Sequence, residues 1–286
     1  MVVEDTLATS RPNLSPRIGM LLASSSLRKE SRAMLRNLSD LNGMSLHALD
    51  GDMGKVEDFY FDDESWVVRF LVVRAGSWLL GKRVLISPIS VEKVDWTDRQ
   101  VRTRLRTEQV KNSPEVDTEM PVSRQQELRL HLYYDYPVYW GGSALWGDYM
   151  DPAAMALRTR LSDKERTEAE QRIRGDEHLR SSKEVRGYHI AAVDGEVGHV
   201  EEFLVEEDSW ALRYIVVDTR NWLPGRKVII FPEWIEDVDW TERKVRVTLG
   251  REMIRSAPEF EGPVQVDREY EGRLFAHYRL PEYWSE

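Results

Sequence analysis

DGDMGKVEDFYFDDESWVVRFLVVRAGSWLLGKRVLISP, running from Asp50 to Pro88, returns 144 positions later as DGEVGHVEEFLVEEDSWALRYIVVDTRNWLPGRKVIIFP, Asp194 to Pro232. Outward from this stretch, residues 34–140 align with 178–284 without a gap. Roughly 40% of the paired positions are identical, so the chain is an internal duplication. It divides into an N-terminal tail (1–33), a first repeated domain (34–140), a linker with a helix (141–177) and a second repeated domain (178–286).

Each copy reads as a run of short strands. Met44–Leu49 leads into an Asp-Gly turn at Asp50 and Gly51, where left-handed backbone is tolerated. Val56, Phe59 and Phe61 mark a second strand, and Asp62–Ser65 a polar hairpin loop expected to be a solvated tip. The β-branched and aromatic run Trp66–Val73 is a central strand. A corner follows at Trp78–Gly81, matched by Trp222–Gly225, where Pro224 and Gly225 suit a type II turn. Val84–Ile86, Val91–Trp96 and Val101–Leu105 complete about six strands, too closely spaced for crossover helices. The expected fold is mainly β: two tandem small antiparallel β-barrels, closed to protect their edges, each followed by short helices. A helix over 108–114 and another opening at Ser123, with Gln126 as its capping-box partner, follow the first set of strands; Asp267 opens the equivalent helix in the second. A helix at Ser26–Leu38 is one reading of the tail's end, and a mobile tail the other. Gly141–Ser143 reads as flexible, and 163–174 as a solvated linker helix behind a Ser162/Glu165 capping box.

Composition narrows function. The 286 residues carry a formal net charge of −10, which argues against a general nucleic-acid binder. Cysteine is absent, which removes disulfides, thiolate metal sites and cysteine nucleophiles. No apolar run reaches the length of a membrane-spanning helix, and the expected location is cytoplasmic.

The DG..G.V.(D/E)F start, the hairpin into W..R(Y/F).VV, the W.(L/P)G corner with V.I.P, and the P.YW ending together resemble the PRC-barrel domain. That domain is known from the photosynthetic reaction centre H subunit and the ribosome maturation factor RimM. The likeness covers 34–140 and 178–284 and is nearest to free-standing bacterial proteins with two such domains. It implies a non-catalytic adaptor or scaffold with no cofactor that binds a protein partner or its own copies. Peripheral membrane contact is compatible with it. An RNA- or ribosome-associated assembly factor is the alternative; an enzyme or small-ligand binder would need a polar pocket between the barrels.

The residues carry little catalytic signal. His47, His131, His178, His189, His199 and His277 show no ligand spacing, although His189 and His199 fall on facing arms of a hairpin. Arg69 with Glu57, and Arg213 with Glu201, read as cross-strand ion pairs. The duplicated Trp66/Trp210, Trp78/Trp222 and Trp96/Trp240 read as core or as a seam between barrels. Trp234 has Ser90 as its counterpart, so it reads as an exposed contact peculiar to the second copy. With the aromatic tails Tyr139, Trp140, Tyr283 and Trp284, it makes up the candidate partner contact. The copies are expected to pack about a local twofold axis, as a homodimer would.

Overall fold

The computed structural model describes residues 34–76, 82–114, 121–140, 142–157, 167, 177–219 and 226–280. The chain is mainly β, with two sheets and short helices. The first sheet is built from β2 (Ser45–Ala48), β3 (Gly51–Asp62), β4 (Val67–Ala75), β5 (Arg83–Ile86), β6 (Val91–Asp95) and β7 (Gln100–Thr103), after a short strand β1 (Leu35–Asn37) that belongs elsewhere. Its order is β5-β4-β3-β2-β7-β6, antiparallel except that β2 and β7 run parallel. After β8 (Val122–Ser123) and β9 (Glu177–Ser181), the second sheet repeats that order. It is built from β10 (His189–Ala192), β11 (Gly195–Glu206), β12 (Leu212–Asp218), β13 (Lys227–Ile230), β14 (Ile235–Asp239) and β15 (Lys244–Val247). Val56, Phe59, Phe61, Val68, Leu71 and Val73 fill the first interior; Val200, Phe203, Ile215 and Val217 fill the second, all within one continuous apolar cluster.

The two units exchange strands. β1 pairs with β11 of the second sheet, placing Leu35 opposite Glu206 and Arg36 opposite Val205. β9, assigned by the repeat to the second domain, pairs with β3 of the first, placing Leu179 opposite Asp62 and Arg180 opposite Phe61. These contacts map onto each other under the repeat offset. The same reciprocity holds where the hairpins meet: Val68 N donates to Trp210 O at 2.9 Å, and Leu212 N to Trp66 O at 2.8 Å. The contacts therefore obey the expected local twofold relation, with Phe203 of the second unit packed, tilted, against Phe61 and Trp66 of the first at centroid separations of 5.7 and 6.3 Å. Trp66 and Trp210 form this seam, at positive φ of 54° and 60°. That is an uncommon conformation for a bulky residue, and each marks the end of its hairpin turn.

Several local expectations need correction. The helix read over Ser26–Leu38 gives way at its described end to β1 and a 3-10 turn, Leu38–Leu41. Gly51 does not adopt positive φ, although its counterpart Gly195 does, at 129°. Gly54 and Gly198 also do, at 132° and 158°. At both, an added Cβ would lie about 2 Å from a carbonyl oxygen of the facing strand, that of Arg74 or Asp218. Asp50 and Asp194 act as caps instead. Their Oδ1 atoms accept from Thr107 N at 2.8 Å and Arg251 N at 2.7 Å, at the starts of α1 (Thr107–Lys111) and a later helix, Arg251–Arg255.

The helix α2 (Arg124–Tyr134) begins at Ser123 with the expected reciprocal capping by Gln126. Ser123→Ala is expected to lower stability by about 1 kcal/mol, measured as a shifted urea midpoint at unchanged slope. Asp267 caps the equivalent helix, Arg268–Tyr278, through Tyr270 N.

The first part of the linker is structural rather than flexible. Gly142 lies against the backbone of Gly147, where a Cβ would come within 2.2 Å. Trp146 is buried and its Nε1 donates to Ser209 O at 2.7 Å, tying the linker to the second unit. The helix α3 (Pro152–Ala156) then starts at Asp151, which accepts from Ala154 N. The 163–174 helix and its capping box, the Trp78 and Trp222 corners, and Tyr283 and Trp284 lie outside the described residues, apart from Thr167, which is helical.

Candidate functional site

The hairpins that were expected to be solvated tips are solvated only at Glu64 and Asp208; the residues before them are sunk into the contact between units. Asp62 is 3% exposed: its Oδ1 accepts from Glu64 N and Ser65 N, and its Oδ2 from the Tyr139 hydroxyl at 3.3 Å. Its counterpart Glu206, also buried, accepts from Ser209 and from Arg213. The next residue of each hairpin holds the exchanged strand. Asp63 accepts from Arg180 Nε at 3.3 Å, and Glu207 from Arg36 Nε at 2.5 Å. Each of those guanidiniums also stacks on a tryptophan, Arg180 on Trp240 at 4.0 Å and Arg36 on Trp96 at 4.7 Å. Burial pushes the Asp63 carboxyl up to about 6, against the pull of Arg180.

The arginines of the central strands are not paired as the sequence suggests. Arg69 donates to Leu145 O at 2.8 Å and Ser65 Oγ at 3.1 Å and lies 3.5 Å from the Tyr139 ring centroid. Arg213 pairs with Glu206. Glu57 instead binds Arg74 and Arg83, and Glu201 binds Lys227. The reason is pleat direction: Arg69 is 2% exposed and faces inward, whereas Arg74 and Arg83 lie on the solvent side with Glu57.

Behind Asp62 lies a buried ionic cluster. Glu127 of α2 is fully buried and accepts from Arg124 Nη1 at 3.1 Å and from His178 Nε2, at the root of β9, at 3.0 Å. His131, one turn along α2, has its Nε2 3.8 Å from Glu127, and its Nδ1 donates to Pro137 O at 2.8 Å. Arg124 also donates to the Tyr139 hydroxyl at 2.9 Å. Burial opposes the charge on Glu127, but the His178 hydrogen bond and the surrounding cations hold it down at about 2. Burial also pulls both histidines down. For His131 burial prevails; for His178 the bond to Glu127 prevails and the group is raised. Burial drives the Tyr139 phenol well up, so it stays protonated. This cluster is peculiar to the first unit. Phe275 stands where His131 would be and Met34 where His178 would be; Glu271 there takes a hydrogen bond from Tyr214 at 2.9 Å.

Two clefts flank the twofold seam and are counterparts under the repeat. One, of about 850 Å³, is bounded by Asp62–Trp66, Glu233 and Trp240. The other, of about 220 Å³, is bounded by Glu206–Asp208, Trp96 and the linker helix residues Pro152 and Ala153. Trp140 is half-buried on the wall of the larger cleft, and Tyr139 is buried beside it.

Trp234 is not an exposed contact. It is buried, its ring 4.3 Å from that of Tyr278 and 4.8 Å from that of Phe231. In the first unit Tyr136 stacks on the equivalent Tyr134 at 5.3 Å. Leu280 replaces Tyr136 in the second unit, and Trp234 supplies the ring that Leu280 cannot. His189 and His199 do face each other in the hairpin register. Among the described residues, no group of three or more His, Asp or Glu side chains is arranged to hold a metal ion. Nor is any helix among them long and apolar enough to cross a membrane.

Sequence reasoning passed over Arg124, Glu127 and Glu233, and weighed His131 and His178 only for ligand spacing. The signal was present as departures from the repeat: His131 against Phe275, His178 against Met34, and Glu233 against Ile89. No family model matches the chain, and no curated protein matches it.

Proposed function

We propose that the chain is a non-catalytic adaptor of the tandem PRC-barrel type, each sheet curling into a small barrel, that binds a protein partner or its own copies. The observation that carries this reading is the reciprocal strand exchange, which joins two similar units around one core and leaves a wide cleft beside the seam. A surface assembled from both units in fixed register suits the gripping of another macromolecule. Much of the buried ionic chemistry is spent within the fold: Asp62, Asp63, Glu127 and Arg69 all have partners inside the chain. The carboxylates along the larger cleft repel phosphate, which disfavours RNA as the partner.

The test is affinity capture on the full chain, combined with light scattering across a concentration series. The expected result is either one co-purifying protein in fixed stoichiometry or a defined homo-oligomer. A monomer at all concentrations that retains no protein overturns the reading.

A further inference from the structure

The two clefts are equivalent under the repeat but differ in what fills them. In the smaller, α3 of the linker packs beside the 3-10 turn Pro88–Ser90, burying Met155. Ile89, in that turn, is 2% exposed. The equivalent turn, Pro232–Trp234, borders the larger cleft, which the linker stretch 142–145 and Met150 line from the other side, and no described linker helix is seated in it as α3 is in the smaller one. At this turn the apolar Ile89 is replaced by Glu233, whose Oε2 is buried yet accepts no hydrogen bond. Leaving a buried acceptor unmet is costly, and such a group calls for a donor.

The wall around it points to the kind of donor. Six carboxylate side chains line the cleft against two guanidiniums, Arg69 and Arg124, both already stacked on Tyr139. Lys93, at the wall of the smaller cleft, is replaced by Asp237 in the larger. Trp66, Trp140 and Trp240 add aromatic faces, of which Trp240 already holds the guanidinium of Arg180 and Trp140 that of Arg124. Such faces attract cations.

We infer that the larger cleft binds a short peptide segment of a partner, laid as α3 lies in the smaller cleft, with an arginine or lysine side chain of that segment meeting Glu233. This rests on the adaptor reading above and adds the chemistry of what the adaptor takes. A charge-assisted bond from a guanidinium or ammonium to a desolvated carboxylate is stronger than a neutral one and discriminates against peptides lacking the cation.

The probes are fluorescent peptides with the sequence of residues 151–157, DPAAMAL, and versions carrying Ala153→Arg or Ala154→Arg, titrated with the full-length protein. At least one arginine peptide is expected to bind about tenfold or more tighter than the parent. Added salt is expected to remove that advantage. Glu233→Ile, which restores the residue of the first unit, and the isosteric Glu233→Gln are both expected to abolish the preference; the Gln variant serves if the Ile variant misfolds. If parent and arginine peptides bind alike, or the preference survives both substitutions, the inference falls while the adaptor reading stands. If neither peptide binds at about 1 mM, the inference also falls, and the capture experiment decides the adaptor reading separately.

Discussion

Phe61→Ala or Phe203→Ala is expected to destabilise the whole chain by about 3–5 kcal/mol, with both units still unfolding in one transition. Each side chain is fully buried, and the two rings lie 5.7 Å apart across the local twofold axis. Truncation removes apolar area from the centre of a core shared by the two units, where neither sheet can collapse alone to refill the space. Cooperativity follows from the same geometry. The first unit's sheet is completed by β9 from the second, and the second's by β1 from the first. Opening either sheet strands the partner's edge and exposes the Phe61–Trp66–Phe203 cluster. Urea denaturation followed by tryptophan fluorescence and by far-ultraviolet circular dichroism should therefore give coincident curves for the wild type and for both variants. Two resolved transitions, or a loss below about 1 kcal/mol, would show that the units stand independently and that the seam is superficial.

The duplication and the strand composition were legible because both are local. The β-branched runs and the Ser123/Gln126 capping box act within a few positions, and the structure keeps them. What stayed hidden depends on which distant segment an edge chooses. β1 and β9 are only three and five residues long, too short for a periodicity that names a partner. Their selection rests on Arg36 and Arg180 reaching Glu207 and Asp63 in the opposite unit. A hairpin rich in Asp and Glu looks like a solvated tip until its counter-charge is known to arrive from elsewhere in the chain. Trp234 misled for a related reason. Its difference from Ser90 was visible, but the compensating exchange of Tyr136 for Leu280 becomes meaningful only once both are seen to lie over one equivalent tyrosine. Differences between copies are therefore of two kinds, repacking and new chemistry. Trp234 is the first; Glu233 and the His131–Glu127–His178 cluster are the second.

That cluster should be visible in the dependence of stability on pH. Glu127, ordinarily near 4.5, is held at about 2 in the folded protein. Its contribution is present above 4.5 and is lost as pH falls toward 2; the displacement corresponds to about 3 kcal/mol. His178 is raised above its ordinary 6.5. Its contribution is complete below 6.5 and is lost as pH rises through the raised value. The Glu127–His178 pair is therefore strongest between about 4.5 and 6.5, and it ties β9 of the exchanged strand pair to α2 of the first unit. Glu127→Gln keeps the shape but leaves Arg124 and His178 facing a neutral amide in a buried site. Its expected cost in that window is about 3–5 kcal/mol, shrinking on both the acid and the alkaline side. Melting temperatures of wild type and variant measured from pH 3 to pH 9 should therefore converge toward the acid end, diverge most in the middle, and draw only partly together toward the alkaline end, where Arg124 keeps its charge. Glu271→Gln, at the equivalent position, should lack the alkaline limb of this profile, because Glu271 is partnered by Arg268 and the Tyr214 hydroxyl and by neither histidine. Parallel curves for wild type and Glu127→Gln across the range would mean that the buried carboxylate is not the charge that the histidine at the root of β9 answers.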